Sequence, residues 1–190
     1  MKQRKFFVEV NKMTLDDGFE KFINLKTALN RADDTLKYYS QRFEKFCIFL
    51  EKEKNIKFTC DLDEDIINDY ILYRRKTNPA VSSSTINNNL RAIRAVLYFF
   101  MDRGFTENFS ISLLTVKRNP KEAYTQDEQE LLIKKPDLKK CSFPEYRNWV
   151  MICHLLASGN RSRTMRGIKN KPVDLKSRVI FLAEVKNNQV

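Results

Sequence analysis

Residues 84–104, STINNNLRAIRAVLYFFMDRG, constrain the fold of this chain more than any other stretch. Ile86, Leu90, Ile93, Leu97 and Phe100 recur at intervals of three and four, with Val96 and Met101 beside them. That period fits an α-helix and fails the alternation a strand needs. Ser83 or Ser84 is expected to cap the start, because a hydroxyl oxygen accepts a free backbone N–H there. Gly104 is expected to end it in the left-handed conformation. Burying five such side chains at roughly 1.5–3 kcal/mol each would dock the helix firmly. The other face is expected to carry Asn87, Asn88, Arg91 and Arg94, offering amides and guanidinium groups to a partner.

Charge narrows what that partner is. The 35 Lys and Arg against 24 Asp and Glu leave a formal net charge of +11. Such an excess favours a polyanion, either nucleic acid or an anionic membrane surface. No apolar run reaches the ~18 residues of a membrane span. The start, MKQRKFFVEVNKMTLDD, has no long apolar core and does not read as a secretory signal. A soluble cytoplasmic protein is expected, with no membrane contact.

The 4 cysteines, Cys47, Cys60, Cys141 and Cys153, form no C-x-x-C pair, and His154 is the 1 histidine. Zinc needs four ligands at short paired spacings, so no metal is expected and the cysteines read as free buried thiols. No glycine-rich phosphate loop is present, so no cofactor is expected either. With 4 Gly and 5 Pro, the chain lacks the turns of a sandwich or barrel.

In chain order, residues 1–13 read as a basic arm and residues 14–105 as a helical domain. Thr14 opens a first helix with the stripe Leu15, Phe19, Phe22, Ile23 and Leu29. A second covers about 34–54, burying Leu36, Tyr39, Phe43, Phe46 and Leu50 and turning Lys37, Gln41, Arg42 and Lys45 away. A third covers about 63–75, with acids at its start and Arg74, Arg75 and Lys76 at its end, matching the helix dipole. With the helix described above, these make a four-helix bundle. Periodicity fades over 106–124, read as a linker containing Asn119-Pro120.

Residues 125–190 read as a second, mostly helical domain. Thr125 with Glu128, and Ser142 with Glu145, are capping-box pairs, and Pro144 suits a first turn. The helix that Ser142 opens is apolar nearly all round and is expected to be central, with Trp149 and His154 as core residues. It stops at Ser158-Gly159, and a short basic helix to about Ile168 follows. Residues 178–182 read as a strand whose hairpin partner is absent, which suggests an incomplete domain.

The layout resembles the tyrosine recombinase, or phage integrase, family. TLDDGFEKFINL, DDTLKYYSQRFEKFCIFLEK, DEDIINDYILYRR and STINNNLRAIRAVLYFFMDRG resemble its helical core-binding domain in order and spacing. TQDEQELLIKKP, EYRNWVMICHLLASG and the following G-N-R resemble the opening of its catalytic domain. Gly159 and Arg161 match the family's T-G-x-R-x-S-E motif, and RVIFLAEVKNN puts Lys186 where the family keeps a lysine. The resemblance implies a mainly α protein: a four-helix SAM-like bundle, then a partial catalytic domain with a short strand. It implies a bacterial or phage-encoded protein of DNA integration and site-specific recombination. Its partners would be double-stranded DNA and other recombinase protomers on that DNA, with neither metal nor cofactor.

By the same resemblance, Arg161 is the first catalytic arginine and Lys186 the proton donor to the leaving 5′-hydroxyl. A guanidinium fork suits two phosphate oxygens, and fixed cations stabilise the transition state. Lys37, Arg42, Ser84, Asn88, Arg91 and Arg94 are the expected DNA contacts. The family's Ser-Glu is replaced by Arg163-Thr164, and Pro172 takes the first acidic position of D-x-D. The later H-x-x-R motif does not occur, and all 7 tyrosines, of which Tyr38, Tyr39, Tyr70 and Tyr98 read as core or bundle-edge residues, precede Arg161. A DNA-binding protein that does not cleave DNA alone is therefore expected. The alternatives are a fragment of an active integrase and, from another class, a helical protein–protein adaptor.

Overall fold

The computed structural model describes residues 12–116, 122–169, 173–174, 176–177 and 179–180, and its architecture is mainly helical. The chain falls into two units, Met1–Arg118 and Asn119–Val190. Most of the expected arm lies outside the described residues, as do Lys186 and Pro172.

The first unit holds helices α1 (Leu15–Ala28), α2 (Asp33–Phe49), α3 (Glu64–Thr77) and α4 (Ser83–Asp102). Each of three starts is held by an oxygen that accepts a free N–H. Thr14 Oγ1 accepts from Asp17 at 3.1 Å, Asp63 Oδ1 from Ile66 at 2.9 Å, and Ser82 Oγ from Thr85 at 3.1 Å. The cap of α4 is thus Ser82, not Ser83 or Ser84. Three consecutive serines are chemically alike, and the cap falls where the backbone is still extended, at φ −71° and ψ 147°. Gly104 follows α4 at φ 68°, in the left-handed region expected of it.

The second helix continues past α2 as a wider π turn, Leu50–Lys54, closed by Asn55 at φ 52°. Adjacent side chains on a regular helix diverge by roughly 100°. Here Phe49 and Leu50 are nonetheless both buried.

The core is aromatic. Phe22, Phe43, Phe46, Phe49, Tyr70 and Phe100 are buried together with the whole expected stripe of α4. Phe19 stacks on Phe43 at 4.5 Å and Phe46 meets Tyr70 edge-on at 5.1 Å, geometries favoured by the ring quadrupole. Leu29, expected in the stripe of α1, caps the end of that helix and is 55% exposed.

Residues 106–114 have no regular secondary structure, yet they belong to this core rather than to a linker. Thr106 and Ile111 are buried, and Phe109, Leu113 and Leu114 pack against the helices. Asn87 explains how an irregular segment is held. Instead of facing outward with Asn88, it is buried, donates Nδ2–H to the Leu114 carbonyl and accepts the Leu114 N–H, both at 2.8 Å. Thr59, in the 3₁₀ turn Thr59–Asp61, donates its hydroxyl to the Phe105 carbonyl at 2.7 Å.

The second unit holds α5 (Gln126–Ile133), α6 (Phe143–Ser158) and the short α7 (Ser162–Arg166). Both expected N-terminal signatures form. Glu128 accepts from the Thr125 N–H at 2.8 Å, and Glu145 accepts from the Ser142 N–H and hydroxyl at 2.7 Å. Those two bonds hold the Glu145 carboxyl below its usual pKa. Gly159, at φ 63°, stops α6.

Two expectations fail in this unit. The helix α6 packs on α5 and α7, but none of its residues is fully buried, and Trp149 and His154 are half-buried. An all-round apolar sequence needs neighbours on every side, and the described residues cover only part of it. The strand also has a partner. β2 (Val179–Ile180) pairs antiparallel with β1 (Val173–Asp174), upstream of it rather than beyond it. Asp174 accepts from the Ser177 hydroxyl and from the Ser177 and Lys176 N–H groups in the connecting turn, which lowers its pKa.

Candidate nucleic-acid interface

The expected contact residues on α2 and α4 meet around a side chain that sequence reading left among the bundle-edge residues, Tyr38. Tyr38 is half-buried, and its hydroxyl donates to the Asn88 carbonyl at 2.6 Å, with Asn88 Oδ1 at 3.2 Å. That bond ties α2 to α4 at the surface, over the contact between their buried faces. The Arg42 guanidinium lies over the Tyr38 ring, 4.6 Å from its centroid. Burial raises the pKa of the Tyr38 hydroxyl, and the charges of Arg42 and Arg91 oppose that rise. Both guanidinium groups are therefore electrostatic neighbours of one phenol.

Lys37, Ser84, Asn88 and Arg91 are exposed, while Arg42 and Arg94 are half-buried. The structure thus brings Arg42 and Asn88 together at Tyr38, with the charge of Arg91 acting on the same phenol, and it takes Asn87 off the outward face. Among the described residues no carboxylate forms an ion pair with Lys37, Arg42, Arg91 or Arg94; the pair there is Lys54 with Asp69. Arg42 uses one Nη1–H on Gln41 Oε1 at 2.8 Å. A guanidinium carries five donors and stacking blocks none of those in its plane, so Arg42 keeps donors for an anion.

Sequence spacing contained a signal for Tyr38. Tyr38 and Arg42 stand four apart on one helix, where side chains are neighbours. The pairing with Asn88 carries no such signal, because 50 residues separate the two.

In the second unit, Arg161 is exposed and stands at the residue before α7, with no side-chain bond to the helix start. Its expected companion Lys186 lies outside the described residues. His154 Nε2 is 3.5 Å from Asn160 Nδ2, and the Ser158 hydroxyl donates to the His154 carbonyl at 2.6 Å. The four cysteines are free thiols but only partly buried, against the buried state expected. Among the described residues no group of three or more His, Cys, Asp or Glu could hold a metal ion. No helix there is long and apolar enough to cross a membrane.

No protein-family model, curated protein or solved structure matches this chain.

Proposed function

We propose that the chain is a duplex-DNA-binding protein of the tyrosine recombinase type, acting in DNA integration and site-specific recombination. One observation carries the reading: Arg42 lies over the Tyr38 ring, the charge of Arg91 from the facing helix acts on the same phenol, and neither has a carboxylate paired with it among the described residues. Cations held this way suit a phosphate backbone, where positioning contacts supply affinity. Lys37, Ser84, Asn88 and Arg94 extend the same contact set. The +11 net charge supports the reading, and so does the match of Gly159 and Arg161 to the family motif.

Arg161 and Lys186 keep the family roles of transition-state cation and proton donor in this reading. All 7 tyrosines precede Arg161, so no residue of this sequence stands in the nucleophile's place, and binding without cleavage is the expected activity. Other recombinase protomers on the same DNA would be partners.

The test is anisotropy of a labelled mixed-sequence duplex titrated with the full chain. A Kd of about 10⁻⁴–10⁻⁶ M at physiological salt is expected for phosphate contacts. Four neutralising cations give a slope of log K on log salt of about −3.6, a roughly hundredfold loss between about 50 and 200 mM. Binding that ignores salt would overturn the proposal, and a covalent adduct on a suicide duplex would overturn its second half. A helical adaptor is the second reading, favoured by the exposure of Leu131 (71%) and Phe143 (74%) in the second unit. An adaptor would hold its partner unchanged after Arg42→Ala and Arg91→Ala.

A further inference from the structure

The geometry points to Tyr38 as a positioning residue that presets Arg42 and Asn88 for the phosphate backbone of duplex DNA, an inference that rests on the DNA reading above. A free arginine on a helix surface samples many rotamers, and ordering it on binding opposes association. Arg42 is instead laid over the Tyr38 ring at 4.6 Å. The ring is held in turn, because its hydroxyl donates to the Asn88 main chain at 2.6 Å. The ring contact restricts where the guanidinium can sit, and beyond the one N–H given to Gln41 it leaves donors for a phosphate.

The same hydroxyl orients Asn88. The hydroxyl oxygen also lies 3.2 Å from Asn88 Oδ1, a second and longer acceptor for the same single hydrogen, so the oxygen side of the amide is directed at Tyr38. The cluster then offers a guanidinium edge and an amide NH₂ as donors. Such donors match phosphate oxygens. Arg91 lies close enough to act on the same phenol, and no described carboxylate is ion-paired with either arginine. An arriving anion therefore meets two cations that act on one phenol and displaces no described carboxylate from either.

The experiment is a set of mutant cycles on the full chain, read by anisotropy on the same mixed-sequence duplex. Tyr38→Leu weakens binding about two- to fivefold, the worth of an exposed cation–π contact. In an Arg42→Ala, Asn88→Ala background the same change has no further effect. Tyr38→Phe keeps the ring and loses the bond to the Asn88 main-chain carbonyl, so it weakens binding in the natural chain but not in the Arg42→Ala, Asn88→Ala background. Arg42→Ala lowers the salt slope by about 0.9. Equal losses from Tyr38→Leu in both backgrounds, or no loss in either, would overturn the inference while leaving DNA binding intact. Absence of salt-dependent binding by the natural chain would instead remove the DNA reading and this inference with it. Far-UV circular dichroism checks folding; if Tyr38→Leu unfolds, Tyr38→Phe in the natural chain and in the Arg42→Ala, Asn88→Ala background decides alone.

Discussion

Asn87 and Leu114 exchange two hydrogen bonds of 2.8 Å, side-chain amide against main-chain peptide. The amide imitates a strand neighbour and satisfies a backbone that has no regular structure of its own. Asn87→Ala leaves the Leu114 N–H and C=O without these partners. We expect a loss of about 2 kcal/mol in the stability of the first unit. Urea unfolding followed by circular dichroism measures it, and hydrogen exchange at the Leu114 amide should accelerate. A midpoint and exchange rate that stay put would show that the clamp contributes nothing.

Gly18 presents a contest between two effects. An added Cβ would improve helix propensity by about 1 kcal/mol. It would also stand 3.0 and 3.1 Å from the Phe100 ring and 3.3 Å from Thr59 Cγ2. Phe100 is fully buried, so its ring has nowhere to retreat. Overpacking at about 1–3 kcal/mol wins, and Gly18→Ala should destabilise by about 1 kcal/mol. In a Phe100→Leu background the sign should reverse, because the two nearest ring atoms are gone and only the Thr59 Cγ2 contact at 3.3 Å remains. Thermal melts of the four proteins distinguish the cases.

Cys47 predicts a pH dependence. Burial, with the charges of Asp16, Glu44 and Glu51 adding to it, pushes its thiol up to about 12 from 9.0. As pH rises above about 9 the unfolded chain loses this proton first, so the folded state binds more protons and stability falls. The contribution is fully present below about pH 9 and is lost on the way to about 12. Lysines and tyrosines titrate in the same window, so the measurement is a difference. Cys47→Ala should flatten the decline of the unfolding free energy above about pH 9. The natural chain should also resist iodoacetamide at Cys47 near neutral pH, since the thiolate is the nucleophile. Rapid labelling there, or identical slopes for both proteins, would refute the assignment.

What sequence could supply here was local. The stripe of α4 and the capping boxes at Thr125 and Ser142 depend on residues within a turn or two, so pattern alone located them. Asn87 shows the limit. It adjoins Ile86 at the edge of the buried face, and the choice between solvent and core is made by Leu114, 27 residues later. The hairpin of Val173 with Ile180 was missed for a related reason: strands of two residues are too short to show a period. Around the candidate interface, arginines could be named from their spacing on each helix. Their convergence on Tyr38 depends on how α2 meets α4, which periodicity does not encode. The same holds for α6, whose apolar sequence promised a centre that the described residues of its unit do not enclose.

Synthesis of the chain reaches Thr59 long before it reaches Phe105. In the finished fold the threonine hydroxyl lies 2.7 Å from the Phe105 carbonyl and 3.3 Å from the Met13 carbonyl, so its nearer acceptor comes last. The Phe100 ring, which covers Gly18, also comes from the last helix of the unit. Domains fold as units, and this one becomes complete when its last irregular segment clears the exit tunnel and threads its peptide onto Asn87.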